Sequence, residues 1–184
     1  MKPHFVVLII IFIWSSNYAQ THPSYKKRQS FSNGTEAESF GLGIGIDYGG
    51  FGGRFTYLLD PHIAVFGAGG YALSGFGYNV GAIARFMPAK KFVPTITAMY
   101  GYNAAISVKN AAQYDKLYYG PSIGLGLIRK SNRNEKNYWH YELIIPFRSS
   151  DYDADLNAIK SNPSISISTT PPPVLFSIGY HFGF

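Results

Sequence analysis

Cysteine is absent from the 184-residue chain, which excludes disulfides, thiol catalysis, cysteine-ligated zinc and a lipid-modified N-terminal cysteine. Charge is scarce: Asp, Glu, Lys and Arg make up 14% of the residues, against about 25% in ordinary soluble domains. Long apolar runs are also missing, with one exception between Phe5 and Trp14. That run is shorter than the roughly 20 residues a transmembrane helix needs, and every later segment is broken sooner by Gly, Pro or a polar residue. The formal net charge of +6 comes from 16 basic and 10 acidic residues. Lys26, Lys27 and Arg28 cluster, while Lys90, Lys91, Arg129, Lys130, Arg133 and Lys136 are scattered over apparent turns. A nucleic-acid surface wants a single basic stripe with stacking aromatics, so no nucleic-acid partner is expected. Attraction to anionic lipid or polysaccharide stays open.

What is abundant points to strands. Aromatics reach 17% and there are 20 glycines, yet the mean hydropathy is only −0.02, so apolar residues must be finely interleaved with small and polar ones. The first residues, MKPHFVVLIIIFIWSSNYAQ, have Lys2, an apolar stretch and then small and polar residues up to Ala19. This is the layout of a secretory signal peptide over 1–19. Residues 20–39 are polar with no hydrophobic period and are expected as a flexible periplasmic arm. The Asn33-Gly34-Thr35 sequon lies in it, a pattern that a bacterial envelope protein would seldom use.

From Phe40 onward, alternating segments follow one another. FGLGIGIDY sets Phe40, Leu42, Ile44, Ile46 and Tyr48 against Gly41, Gly43, Gly45 and Asp47. A second segment near 51–59 presents Phe51, Phe55, Tyr57 and Leu59, with Arg54 and Thr56 opposite. Asp60-Pro61-His62 is a tight turn. A third segment covers 63–71, a Gly-rich loop 72–77, and a fourth 78–87, where Asn79, Gly81, Ile83 and Arg85 oppose the larger face. The fifth, 92–104, aligns Phe92, Ile96, Ala98, Tyr100 and Tyr102. After a polar loop over 105–116, the sixth runs 117–129 and the seventh 137–147, with Trp139, Tyr141, Leu143, Ile145 and Phe147 opposite Tyr138, His140 and Glu142. A long link over 148–173 precedes the terminal strand. Compact links after the second, fourth and sixth segments, with the longest after the seventh, match a membrane barrel with short periplasmic turns and longer outer loops.

Alternation does not say which face is inside. A soluble lipocalin-like barrel or a sandwich would bury the aromatic face and turn the other to water, where Lys, Glu and Thr are expected. Here that other face is mainly Gly, Ala, Ser and Asn with a few charges. An eight-stranded barrel has an interior just wide enough for its own side chains, so small residues suit its lumen. Large apolar residues turned outward suit hydrocarbon, with aromatics near both interfaces, and closure pairs every backbone group internally. The expected fold is all-β: a transmembrane, antiparallel, up-and-down barrel of eight strands over 40–184.

The ending VLFSIGYHFGF places Phe176, Ile178, Tyr180, Phe182 and the terminal Phe184 at alternating positions. It resembles the C-terminal assembly signal of bacterial outer-membrane barrels, and residues 40–184 resemble the small eight-stranded barrels of the OmpA/OmpX type. That resemblance implies the outer membrane of a Gram-negative cell, contact with outer-membrane lipid and lipopolysaccharide, and recognition of the last strand by the barrel-insertion machinery. No room follows Phe184 for the peptidoglycan-binding domain that OmpA-type proteins append, so a barrel alone is expected.

Six ionisable residues fall on the small or polar face: Asp47, Arg54, Arg85, His140, Glu142 and His181. The up-and-down order puts Asp47 and Arg54 beside the first loop at the outer end and the other four toward the middle or inner half. It also brings His140 near His181. An unpaired buried charge costs several kcal/mol, so these residues are expected to form a salt-bridged polar network filling the lumen. Lipid A-modifying barrels instead use His with Ser, deacylases in a His-x-Ser arrangement. His140-Tyr141-Glu142 and His181-Phe182-Gly183 lack that serine, and Ser149, Ser150 and Ser177 define no triad. His62, His140 and His181 lack metal-ligand spacing, and GLGIGIDYGGFGG is followed by a strand where a nucleotide loop needs a helix. No metal, cofactor or catalytic residue is expected. The expected role is non-enzymatic: envelope structure, surface interaction or handling of a small ligand. The alternatives are an accessory barrel of an envelope secretion or transport complex with a protein partner and, third, a lipid A-modifying enzyme. A porin-like wide channel does not fit eight strands.

Overall fold

The computed structural model describes residues 37–72, 75–106, 116–161 and 172–184. The signal peptide over 1–19, the arm up to residue 36, the polar loop over 107–115 and the Ser/Thr/Ile stretch over 162–171 lie outside the described residues. The rest forms one closed barrel of eight antiparallel strands in up-and-down order: β1 (Glu38–Gly45), β2 (Gly50–Asp60), β3 (Ile63–Ala72), β4 (Gly75–Arg85), β5 (Phe92–Ile106), β6 (Lys116–Lys130), β7 (Tyr138–Pro146) and β8 (Leu175–Gly183). β8 closes on β1 through pairs running from Ser39↔Gly183 to Ile44↔Ile178. The first strand therefore starts two residues inside the segment expected as an arm.

Side chains alternate as a period-two pattern requires. In β7, Trp139, Leu143 and Ile145 are exposed while Tyr138, His140, Glu142 and Ile144 are buried. In β4, Tyr78 and Val80 are exposed and Asn79, Ile83 and Arg85 buried. The large apolar face points outward on every strand. The lumen holds an apolar group that includes Leu58, Ala64, Phe66, Ile83, Met99 and Ile144, beside a polar network described below.

Three departures from strict alternation shape the barrel. β1 stops at Gly45, and Ile46–Tyr48 form a single 3-10 turn that folds inward. Ile46, Asp47 and Tyr48 are all buried, so Ile46 and Tyr48 do not share the outer face with Phe40, Leu42 and Ile44. The reversal needs Gly45, Gly49 and Gly50 at φ 146°, 72° and 110°, values that L side chains rarely adopt. In β5, Gly101 has φ 154° and a bulge falls between Tyr102 and Ala104, which turns Tyr102 inward. The supposed Gly-rich loop over 72–77 is mostly strand, since β3 and β4 pair through Tyr71↔Phe76 and Ala72↔Gly75.

The link between β7 and β8 contains a helix, α1 (Ser150–Lys160), where a loop was expected. The Ser149 side chain caps it by accepting from the Tyr152 N–H at 3.3 Å. Asp151 and Asp153 occupy its first turn and Lys160 its last, as the helix dipole favours. Tyr152, Leu156 and Ile159 pack on Ala104, Ile106 and Tyr118, at the β5–β6 hairpin end of those strands on their luminal-side parity.

Candidate functional site in the barrel lumen

Arg54 is the hub. It lies on the inward parity of β2, opposite Gly41 of β1, and Gly41 faces His181 of β8. Arg54 is thus well inside the barrel, and Asp47 reaches it only because the 3-10 turn folds down. Placing both beside the first loop at the outer end is corrected: Asp47 leaves the rim and Arg54 never stood there.

The Arg54 guanidinium donates through Nη1 to Asp47 Oδ2 at 2.6 Å and through Nη2 to His140 Nδ1 at 2.6 Å and His181 Nε2 at 3.1 Å. Glu142 Oε2 stands 3.9 Å from Nη1 and 3.9 Å from His140 Nδ1. The guanidinium also meets the Tyr48 ring at 4.7 Å and the Phe66 ring at 5.1 Å, a cation–π arrangement of the kind Arg favours. All seven of these side chains are buried.

Arginine can only donate, and this sets the tautomers. His140 Nδ1 accepts, so its proton is on Nε2, which faces Thr95 Oγ1 at 3.2 Å. His181 Nε2 accepts from Arg54 and from the Tyr48 hydroxyl at 2.7 Å, leaving its Nδ1–H for Ser39 Oγ at 3.3 Å. Ser39 also shares a hydrogen bond of 2.8 Å with the Tyr138 hydroxyl, and the Tyr138 ring stacks on His181 at 4.6 Å. Asp47 receives a further hydrogen bond from Ser177 Oγ.

The six residues singled out in the sequence are all inside the barrel. Asp47, Arg54, His140, Glu142 and His181 form one cluster. Arg85 is buried on the inward parity of β4 and lies within electrostatic reach of both histidines. Two arginines and two carboxylates balance in sign, which lowers the cost of burying them. Ser39, Tyr48, Thr95, Tyr138 and Ser177 belong to the network as well. Parity along their strands flags all of these except Tyr48, whose position depends on the break at Gly45.

Ligand atoms of Asp47, His140 and Glu142 fall within 4.8 Å of one another, but Arg54 already binds the first two. A divalent ion would have to displace a guanidinium, so the cluster reads as an internal ion pair. Ser39 beside His181 is a serine–histidine contact, yet Ser39 and His181 are both 0% exposed, so no substrate reaches them in this arrangement. His62 stands apart in the β2–β3 turn, exposed, with its N–H bonded to Asp60 Oδ1 at 2.7 Å.

The outer face is the second feature with functional content. Among the described residues 29 large apolar side chains are exposed, most of them on this face, where soluble monomers keep contiguous apolar patches to about a few hundred Å². Aromatics gather toward both rims. Phe51, Tyr71 and Phe76 share one rung, while Trp139, Tyr180 and Phe182 make successive ring contacts toward the other end. Val80, Ile123, Leu125 and Leu143 lie between them. Phe176, Phe182 and Phe184 are exposed, and Ile178 and Tyr180 half-buried, on this same face.

Comparison of the sequence with protein-family models and with curated proteins gives no match in either.

Proposed function

We propose that this chain is an integral outer-membrane β-barrel whose plugged lumen is structural and whose biological work is done at its surface. The observation that carries this reading is the continuous apolar exterior bounded by aromatic rims. In water such a surface would aggregate; in a bilayer it meets hydrocarbon, and β8 pairs with β1 to close the sheet. The terminal Phe176, Ile178, Tyr180, Phe182 and Phe184 fit an assembly signal on the strand that closes the barrel. Outer-membrane lipid and lipopolysaccharide are then its surroundings, and the barrel-insertion machinery its assembly partner.

The role assigned is non-enzymatic: envelope structure and surface interaction through the outer end, where α1 and the extended β5–β6 hairpin stand. A conducting channel is disfavoured because Tyr48, Arg54, Phe66, His140 and His181 are buried in mutual contact in the interior. The test is heat-modifiable migration on SDS gels of protein extracted with outer membranes, together with single-channel recording. A compact band that shifts on boiling, with no conductance steps, is expected. Soluble protein with no shift would overturn the membrane assignment, and stable conductance would overturn the plug. Leu125, 62% exposed at mid-wall, supplies a further check: Leu125→Arg should cost roughly 2–4 kcal/mol of stability in a bilayer.

A further inference from the structure

The inward fold of the first hairpin leaves a gap in the wall at the outer rim. β1 and β8 pair only as far as Ile44↔Ile178, so Leu175, Phe176 and Ser177 of β8 run on with no β1 partner. On the other side β2 and β3 pair as far as Phe51↔Tyr71, and Ala72 continues beyond. Two neighbouring strands therefore stop short while β8 and β3 stand on either side. At about 4.8 Å between strands and 3.4 Å per residue, the missing wall is a notch roughly 14 Å wide, about 10 Å tall on the β8 side and about 3 Å tall on the β3 side.

The notch holds a cavity of about 340 Å³ lined by Ile44, Ile46, Phe51, Tyr71, Ala72, Tyr102 and Phe176 among others, none of them charged. That volume falls within the ~300–1,000 Å³ typical of small-molecule sites. Its lining changes from outside to inside. Ile44, Phe51, Tyr71 and Phe176 are 60–71% exposed and belong to the outer apolar belt. Ile46, Ala72 and Tyr102 are 3–7% exposed and form the floor. The Asn79 side-chain amide donates to both the Ile46 carbonyl at 2.5 Å and the Tyr102 carbonyl at 3.0 Å. It thereby ties the floor together. Ser177 Oγ, which donates to Asp47, lies 3.2 Å from the Ile44 carbonyl near the end of β1. The gap is built in: a side chain at Gly45 would strike Ser177 and Asp47, and one at Gly50 would strike the Tyr71 backbone.

We propose that this notch seats one acyl chain of a bilayer lipid, held at the height of the outer aromatic rim; the inference rests on the outer belt facing lipid. Among the described residues, the exposed lip of this apolar recess is continuous with the belt that hydrocarbon covers. A chain entering it gains dispersion contacts that the walls would otherwise lack. The tied floor makes it a blind seat and not a passage to the lumen.

Alanine methyl groups report on this directly. The protein, deuterated except for alanine methyls, is placed in nanodiscs of dimyristoyl phosphatidylcholine with protonated chains, and nuclear Overhauser transfer from chain methylenes is recorded. Ala82 and Ala98 on the outer face should show transfer, luminal Ala64, 0% exposed, should show none, and Ala72 on the notch floor should show it despite its burial. Transfer to Ala82 and Ala98 but not to Ala72 overturns the seat while leaving the membrane assignment intact. So does an Ala72 methyl touched only by protons of this chain or of a second copy. Absence of transfer at all four methyls overturns the membrane assignment itself.

Discussion

Two hairpins at the same rim of the barrel end in opposite ways. β1–β2 breaks at Gly45, folds Ile46–Tyr48 into the lumen and leaves the wall low. β5–β6 runs on to Ile106 and Lys116, and α1 covers the continuation of its inner face. Both begin as alternating strands with a greasy outer side. In the first hairpin, left-handed glycines let the chain turn sharply enough for Asp47 and Tyr48 to find Arg54 and His181. In the second, a bulge after Tyr102 increases twist and re-aims side chains, and the projecting strands obtain burial from a helix that follows β7 in the chain. A rim can therefore be closed inward by its own turn or covered on its inner side by a distant segment.

Breaking the inward closure should have the largest effect. Arg54→Met removes the cation that Asp47 binds and Glu142 faces, leaving carboxylates buried without their main partner. A loss of about 3–5 kcal/mol is expected, read as a lower urea midpoint of the refolded barrel. Adding Asp47→Asn and Glu142→Gln to it should recover part of that loss. Unchanged stability of the single variant would mean that the hub is not buried as described. Next comes the turn itself: Gly50→Ala puts a Cβ at φ 110° and against the Tyr71 backbone, at a cost of roughly 1–3 kcal/mol. Its signature should be selective, disturbing amide signals of the first hairpin while those of α1 stay in place.

The outer cover should respond more weakly. Ser149→Ala removes the α1 cap and should cost about 1 kcal/mol, seen as faster amide exchange in α1 with no change around Arg54. The smallest effect concerns Asp155, which accepts from Lys116 Nζ at 2.6 Å and the Tyr118 hydroxyl at 2.7 Å. These hydrogen bonds hold its carboxyl below the ordinary value of 3.8. A depressed carboxylate contributes in full above its unfolded pKa and loses that contribution as pH falls through the folded one. Docking of α1 should thus be insensitive to pH at neutrality and loosen only below the usual aspartate range. Asp155 is solvent-exposed, so salt should blunt the effect. Loosening of α1 near pH 6 would show that another group governs it.

Much of the fold and part of the lumen were legible in the residues themselves. Alternation is a local property, so Trp139, Leu143 and Ile145 can be assigned to one face and His140 and Glu142 to the other without any knowledge of their neighbours. Eight such segments with compact alternate links define the up-and-down barrel. The same parity placed Arg54, Arg85 and His181 on the luminal face, and sign balance suggested their pairing. The helix was also visible in retrospect: Ser149 before Asp151 and Asp153, then Tyr152, Leu156 and Ile159 at helical spacing. It was hidden by its setting in a polar loop.

What the residues did not determine alone is where alternation stops. Gly43 and Gly45 are the same residue two positions apart, yet one sits within the strand and the other, at φ 146°, ends it. That choice depends on Ser177, His181, Tyr71 and Gly77, which reach the first hairpin only when the barrel closes. Local pattern determined which way each wall residue faces because the pleat enforces it at every step. Only the tertiary structure decided that Tyr48 turns inward, that Arg54 becomes the hub and that the rim is notched, because those depend on contacts among strands distant in sequence.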